Sequence, residues 1–338
     1  MKSKTANCWL CNIECYPSSD PSKAPSCREH AFLPDRPGNV SEDLTDELLE
    51  ESVSIEFPDK KESVIDPYEW LSYAKEGKAL QDKAKSSQNE ATVVINTDHP
   101  ISVCFSADWH LGSSATDYDQ LLAHHQYIRN TNDLYVITVG DLIQNTRIAK
   151  PGGLVSIFEQ VIPPHLQGKV AGRLFDDIKH KLLAACWGNH DTERDEKLFG
   201  ESPLADHFSK DRPYFNGIGK LTLIVNDIPY KIMLNHKAKG NSAINPLSGN
   251  YKLFQLNWAA DVTVTAHTHN PAMSTQYNYD QKTIFIKCGS LQTEDPHADR
   301  YYGTTFWAAP TVVFMPDRKE MTGLFSPEEA VAYMKGLK

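Results

Sequence analysis

Four short apolar runs, each cut off by a cluster of Asp, Asn or His, restrict what this chain can fold into more than any other feature. ISVCFSA runs into DWH, LYVITV into GD, LLAACW into GNHD, and VTVTA into HTH. Runs of this length, rich in β-branched residues and ended by polar breaks, read as buried strands. The stretches YDQLLAHHQYIRN and AGRLFDDIKHKLL between them have helical spacing. The result is the strand–loop–helix alternation of an α/β layered fold. LTLIVNDIPYKIMLNH reads instead as a hairpin turning at Asn226 and Asp227. The expected fold class is therefore α/β, with a mixed sheet or a two-layer β sandwich flanked by helices. No internal repeat is seen.

Loops at strand ends are where α/β folds place reactive side chains, because the strand is rigid and the loop faces solvent. Residue type adds to position. Asp108 and His110 flank Trp109, Gly140 frees the backbone before Asp141, Asn189, His190 and Asp191 follow Gly188, His236 ends an apolar strand, and His267 and His269 stand two apart. Mixed imidazole and carboxylate donors suit divalent ions such as Mn, Fe and Zn. A lone histidine like His236 would ordinarily be a packing residue; the surrounding motifs make it a candidate ligand. His124, His125, His180, His207 and His297 fall outside the motifs and are read as surface or packing residues, with His297 the first exception to consider because it follows the GSLQTEDP loop near the expected site.

Taken in order, DWH, GD, GNHD, a lone His and HTH resemble the motif series of the calcineurin-like metallophosphoesterases over roughly residues 100–290. Ala266 stands where that family usually has Gly. The resemblance implies the metallophosphoesterase fold, with Asp108, His110 and His269 holding one metal, Asn189, His236 and His267 the other, and Asp141 bridging them. It also implies that His190 faces the substrate as a hydrogen-bond donor or general acid, with Asp191 orienting its ring. Two ions about 3.5–4 Å apart share a bridging hydroxide and stabilise charge building on phosphorus. Manganese is the first expectation, with Mg, Fe, Zn or Ni as alternatives.

Cys8, Cys11, Cys27 and His30 have the paired spacing of a small zinc knuckle or ribbon, with Cys15 an alternative to His30. This places a structural zinc module at 1–35, followed by an acidic linker at 36–96 in which DPYEWLSYAKEGKALQDKAK forms a docked helix. The catalytic domain is expected at 97–320 and a helical tail at 321–338. The free-standing Cys104, Cys186 and Cys288 suit a reducing compartment. With no membrane-length apolar run and no signal-peptide core, a soluble cytoplasmic protein is expected.

The net charge of −10 argues against a chain coated in phosphate-binding charge. Much of the excess sits in SEDLTDELLEESVSIEF, which, like the zinc module, could recruit a protein partner. For the substrate, GDLIQNTR lacks the Asp-Arg-Gly that extends this motif in the family's serine/threonine phosphatases. It and ADWHLGS look more like the corresponding stretches of SbcD-type DNA repair nucleases. A phosphodiesterase acting on nucleic acid is the leading expectation. A phosphomonoesterase acting on nucleotides or phosphoproteins, and a partner-recruiting binding module, are the alternatives. Arg147, Arg194, Lys237, Lys239, Asn241 and Ser242 are candidate substrate contacts.

Overall fold

The structure is a computed structural model. It describes residues 6–7, 14–15, 66–86, 89–146, 159–193, 204, 207–208, 212–240, 244–256, 258–278, 281–293 and 307–337. The zinc-site expectation on Cys8, Cys11, Cys27 and His30 lies outside them, as do the acidic segment, Arg147, Arg194, Asn241, Ser242 and His297. Two units divide the chain, Met1–Asp66 and Pro67–Lys338. In the first, β1 (Ala6–Asn7) and β2 (Glu14–Cys15) pair antiparallel.

Among the described residues the second unit holds two mixed sheets of six strands each. One sheet is built around β4 (Ile101–Ser106), β5 (Leu134–Val139) and β6 (Leu182–Cys186), which run parallel. β7 (Tyr214–Phe215) extends it on one side, while β13 (Thr311–Phe314) and β14 (Met321–Leu324) extend it antiparallel on the other. The second sheet has the order β11 (Ala272–Asn278), β12 (Gln281–Lys287), β10 (Val262–Thr265), β9 (Ile228–Asn235), β8 (Gly219–Val225), β3 (Glu90–Ile95). The hairpin expected around Asn226 is β8 and β9, and Asn226 takes the left-handed backbone the tight turn needs, with φ 55°.

Alternation along the strands explains how the sheets meet. Val103, Phe105, Ile137 and Val139 from one sheet pack against Leu221, Leu223, Tyr230, Ile232, Val262 and Ile284 from the other, and all are buried. The outer face of the first sheet is covered by α2 (Tyr118–Asn130) and α3 (Pro164–Asp177) through Leu121, Ile128, Ala171 and Phe175. α4 (Ser248–Phe254) lies on the second sheet, where Leu253 meets Met233 and Ala260. The architecture is the two-layer sandwich with flanking helices anticipated above.

Several boundaries differ from expectation. β3 already belongs to the sheet, paired parallel with β8, so the domain starts before residue 97. Residues 321–338 are not an appended tail: β14 completes the first sheet, and α5 (Pro327–Gly336) buries Ala330, Val331 and Met334 against Val313 and Met315. The stretch AGRLFDDIKHKLL does not stay helical. α3 starts earlier, with Pro in its first turn, and stops at Asp177, because Leu182–Cys186 is drawn into the ladder beside β5. The helix expected over 66–85 forms as α1 (Pro67–Ser86), but Tyr68, Trp70, Leu71 and Tyr73 are exposed rather than docked.

Tyr230 shows how the core fastens a surface hairpin. Its hydroxyl, at the end of a fully buried ring, lies 2.7, 2.9 and 3.0 Å from the carbonyls of Met315, Arg318 and Glu320 in the β13–β14 turn. Tyr230→Phe strips the donor from these acceptors at little change in volume. A loss of about 1–3 kcal/mol in a urea unfolding experiment is expected, with turnover unchanged; an unaltered midpoint would show that water replaces the hydroxyl without cost.

Candidate metal centre

All expected ligands, and His190 with them, leave from the carboxyl ends of parallel strands. Asp108 and His110 follow β4, Asp141 follows β5, Asn189 and His190 follow β6, His236 follows β9, and His267 and His269 follow β10. The loops after β4 and β5 are zipped together by Asp108 N–H to the Gly140 carbonyl and His110 N–H to the Asp141 carbonyl, both 3.0 Å. Asp108, His110, Asp141, His267 and His269 all have left-handed φ, between 48° and 78°. For residues bearing a Cβ this costs on the order of 1–3 kcal/mol each. A fold carries such strain where side chains must be aimed against local preference.

The side chains form two trios. Asp108, His110 and His269 converge in one, and Asp141, His236 and His267 in the other. In the first, His110 Nε2 and His269 Nε2 are 3.1 Å apart, and Asp108 Oδ1 lies 3.8 and 3.5 Å from them. Donors about 2.0–2.1 Å from a common ion sit roughly 3.0–3.4 Å apart, so this spacing fits a shared cation. In the second, Asp141 Oδ2 is 3.0 Å from His236 Nε2 and 4.0 Å from His267 Nδ1. The main chain ties the trios together, since the His267 amide donates to Asp108 Oδ2 at 3.0 Å.

Whether these residues fit a metal pair is tested by their unpaired atoms. Asp108 Oδ1, Asn189 Oδ1 and His236 Nε2 are buried without a hydrogen-bond partner, and among the described residues they are the only carboxylate, amide-oxygen and imidazole atoms in that state. The approach of His236 Nε2 to Asp141 Oδ2 is close enough for an ion pair but is not aligned as a hydrogen bond. Burying such an acceptor unmet costs about 1–3 kcal/mol, and more for a charge. Each is an expected ligand atom, and Asn189, which joins neither trio by residue type, enters the site this way. The residues therefore fit two divalent ions.

Electrostatics agree. Burial pushes the His110 ring well below its ordinary pKa, helped by His190 and His269, so the ring is neutral and able to ligate. Burial would also lower His236, but the Asp141 carboxylate outweighs it and holds the ring up at about 9. Burial opposes ionisation of Asp141, yet His236 and His190 keep it well below the usual carboxylate range. The pocket thus demands positive charge beside Asp141, which a dication supplies.

Outer contacts set the rings. His236 Nδ1 donates to the Val139 carbonyl at 2.7 Å, which directs Nε2 into the site. His190 Nδ1 lies 2.9 Å from the Gln144 carbonyl, and the His190 amide donates to Asp141 Oδ1 at 2.8 Å. The role expected of Asp191 changes accordingly. Its Oδ1 accepts from the Leu142 and Ile143 amides at 2.7 and 3.1 Å, so it braces the loop that carries Asp141, and the His190 ring is held by a main-chain carbonyl instead. Burial and the neighbouring Asp141 push Asp191 up to about 7.

Ala266 is buried in the sandwich core and has no left-handed φ, so the backbone does not require Gly there. Gly188 is different: a Cβ on it would overlap both the Asp141 nitrogen and Asp141 Oδ1. Gly188→Ala must displace the carboxylate, and a shift near 1 Å at a reacting centre costs about 10²-fold in rate. Turnover at wild-type level in that variant, with full metal content, would contradict the packing.

Of the histidines read as bystanders, His124 is buried and held by Ser106 Oγ at 3.0 Å, and His125 by the Leu174 carbonyl at 2.8 Å. Burial lowers His124 to about 3, a neutral packing residue. His207 lies 3.7 Å from Asp176, and His180 is exposed. Lys237 and Lys239 are exposed on the loop after His236. Gln144 is a site residue absent from the expected set, although an amide three positions after Asp141 is visible in GDLIQNTR.

Comparison with solved structures gives remote likenesses. A single mutant of Vps29 from Entamoeba histolytica shares 14% identity and a TM-score of 0.37 over 66% of this chain and 99% of its own. YfkN, a calcineurin-like phosphoesterase from Bacillus subtilis, gives 14% and 0.35 over 71% and 97%. The NAD nucleotidase NadN of Haemophilus influenzae gives 11% and 0.38 over 67% and 49%. At these scores they carry no argument about activity. No curated protein sequence matches the chain. Among the described residues no helix is long and apolar enough to cross a membrane. The calcineurin-like phosphoesterase family model matches residues 101–289, more than half of the chain and the whole span from β4 past the last ligand. This chain therefore belongs to the calcineurin-like phosphoesterase family and is a metal-dependent hydrolase of ester bonds.

Proposed function

We propose that the enzyme hydrolyses phosphodiester bonds, with nucleic acid, DNA first, as substrate and manganese as the best-suited metal. The observation that carries the reading is the convergence of the Asp108–His110–His269 and Asp141–His236–His267 trios, together with the buried, unpartnered Oδ1 of Asn189, the residue before the His190 amide that donates to Asp141. Two divalent ions held there would supply an activated water and would neutralise charge developing on the phosphoryl oxygens. Mixed nitrogen and oxygen donors are compatible with manganese, iron or zinc, and the oxygens of Asp108, Asp141 and Asn189 suit manganese.

The chain's own residues do the rest. Asp141 orders His190 through the main-chain contact at 2.8 Å. With Nδ1 donating to the Gln144 carbonyl, His190 Nε2 is the nitrogen assigned to the leaving oxygen; the ring enters the step as an imidazolium, gives its Nε2 proton and keeps the one on Nδ1. The diester preference rests on GDLIQNTR, which lacks Asp-Arg-Gly. Lys237 and Lys239, exposed directly after His236, would meet the polynucleotide backbone. At the N-terminus, Cys8, Cys11, Cys27 and His30 would hold one structural zinc, and that module or the acidic segment would engage a protein partner.

The test is a manganese-loaded panel of bis-p-nitrophenyl phosphate, p-nitrophenyl phosphate, cyclic nucleotides, phosphopeptide and single- and double-stranded DNA. Faster turnover of the diester and DNA is expected. Rapid cleavage of phosphopeptide or nucleotide monoester with intact DNA would replace this reading by a phosphomonoesterase.

A further inference from the structure

We infer that Gln144 is a positioning residue that sets both the metal-facing nitrogen of His110 and the substrate-facing nitrogen of His190; this rests on the bimetal reading above. Its side-chain Oε1 lies 2.8 Å from His110 Nδ1, its main-chain oxygen lies 2.9 Å from His190 Nδ1, and its Nε2 donates to Thr146 Oγ1 at 3.2 Å. The two imidazoles so held stand edge to face with centroids 4.6 Å apart.

The chemistry follows from the acceptors. An amide oxygen and a peptide carbonyl only accept, so both imidazoles carry a proton on Nδ1, and His190 holds a second one on Nε2 when it acts as the proton donor. In His110 that turns the Nε2 lone pair toward His269 and Asp108, where a cation belongs. The Gln144 amide nitrogen donates to Thr146 Oγ1, which leaves its oxygen for His110. One residue three positions after Asp141 thereby couples retention of the first ion to placement of the proton donor. His110 is buried, and no other polar partner of its Nδ1 is seen among the described residues, so Gln144 is the residue that holds the tautomer from the Nδ1 side.

Gln144→Leu and Gln144→Glu separate this role from simple packing. Leu removes the acceptor; Glu keeps an acceptor toward His110, and the Thr146 hydroxyl can reverse to donate to it. Manganese titration of the full chain should show affinity at one of two sites falling by about 10–100-fold in Gln144→Leu and restored in Gln144→Glu. Nitrogen-15 spectra of the zinc-loaded wild type should show His110 protonated at Nδ1. Equal manganese affinity in the Leu variant, failure of Glu to restore it, or a wild-type His110 protonated at Nε2 would overturn the proposal. If the wild type itself binds fewer than two ions, the bimetal reading fails instead.

Discussion

Asp141→Asn should abolish more turnover than any other single change at the site, with a loss beyond the roughly 10–100-fold typical of residues that only support a ligand. The carboxylate has two jobs on opposite oxygens. Oδ1 accepts the His190 amide at 2.8 Å, and Oδ2 faces His236 and His267. An amide has one oxygen. If it serves the His190 N–H, the NH₂ group points at the ligand nitrogens and repels a cation; if it turns the other way, two donors collide at His190. The check is manganese content together with diester turnover. A variant that keeps both ions and near-normal rate would remove Asp141 from the centre of the account.

His190→Ala should slow turnover by about 10²–10⁴-fold, the range for a lost general acid, while both ions stay bound. Metal retention is expected because Asp141 is held by the His190 main-chain amide, which alanine preserves. The loss should shrink for a p-nitrophenolate leaving group, which needs little protonation, and be largest for an alkoxide such as a nucleotide 3′-oxygen. Loss of one ion would make the ring a ligand. An equal defect for both leaving groups would deny it a role in protonation.

The site is legible in the sequence because its residues obey a local rule. Each follows an apolar run, and a strand's end is visible when Val, Ile and Leu give way to Asp or His, as at ISVCFSA before Asp108 and VTVTA before His267. The sandwich follows from the same runs and from the 219–235 hairpin. What stays hidden depends on distant neighbours. Trp109 sits between two expected ligands but points away and stacks on Phe175 at 5.2 Å, a contact no local pattern encodes. β3 and β14 pair with β8 and β13; EATVVI carries no chemical motif at its end to mark it as part of the sheet, and MTGL is too short to declare itself. Ala330, Val331 and Met334 look like an ordinary amphipathic end until Val313 and Met315 are seen beneath them. Adjacency to His190 suggests a ring contact for Asp191, whereas its carboxylate turns to the Leu142 and Ile143 amides.

The central claim is that two cations occupy the two trios. The most direct measurement is an anomalous difference map from crystals of the manganese-loaded protein, recorded at the manganese edge. The account predicts two peaks, one among Asp108, His110 and His269, and one among Asn189, His236 and His267 with Asp141 beside both. A single peak, or none while diester hydrolysis persists after exhaustive chelation, would contradict it.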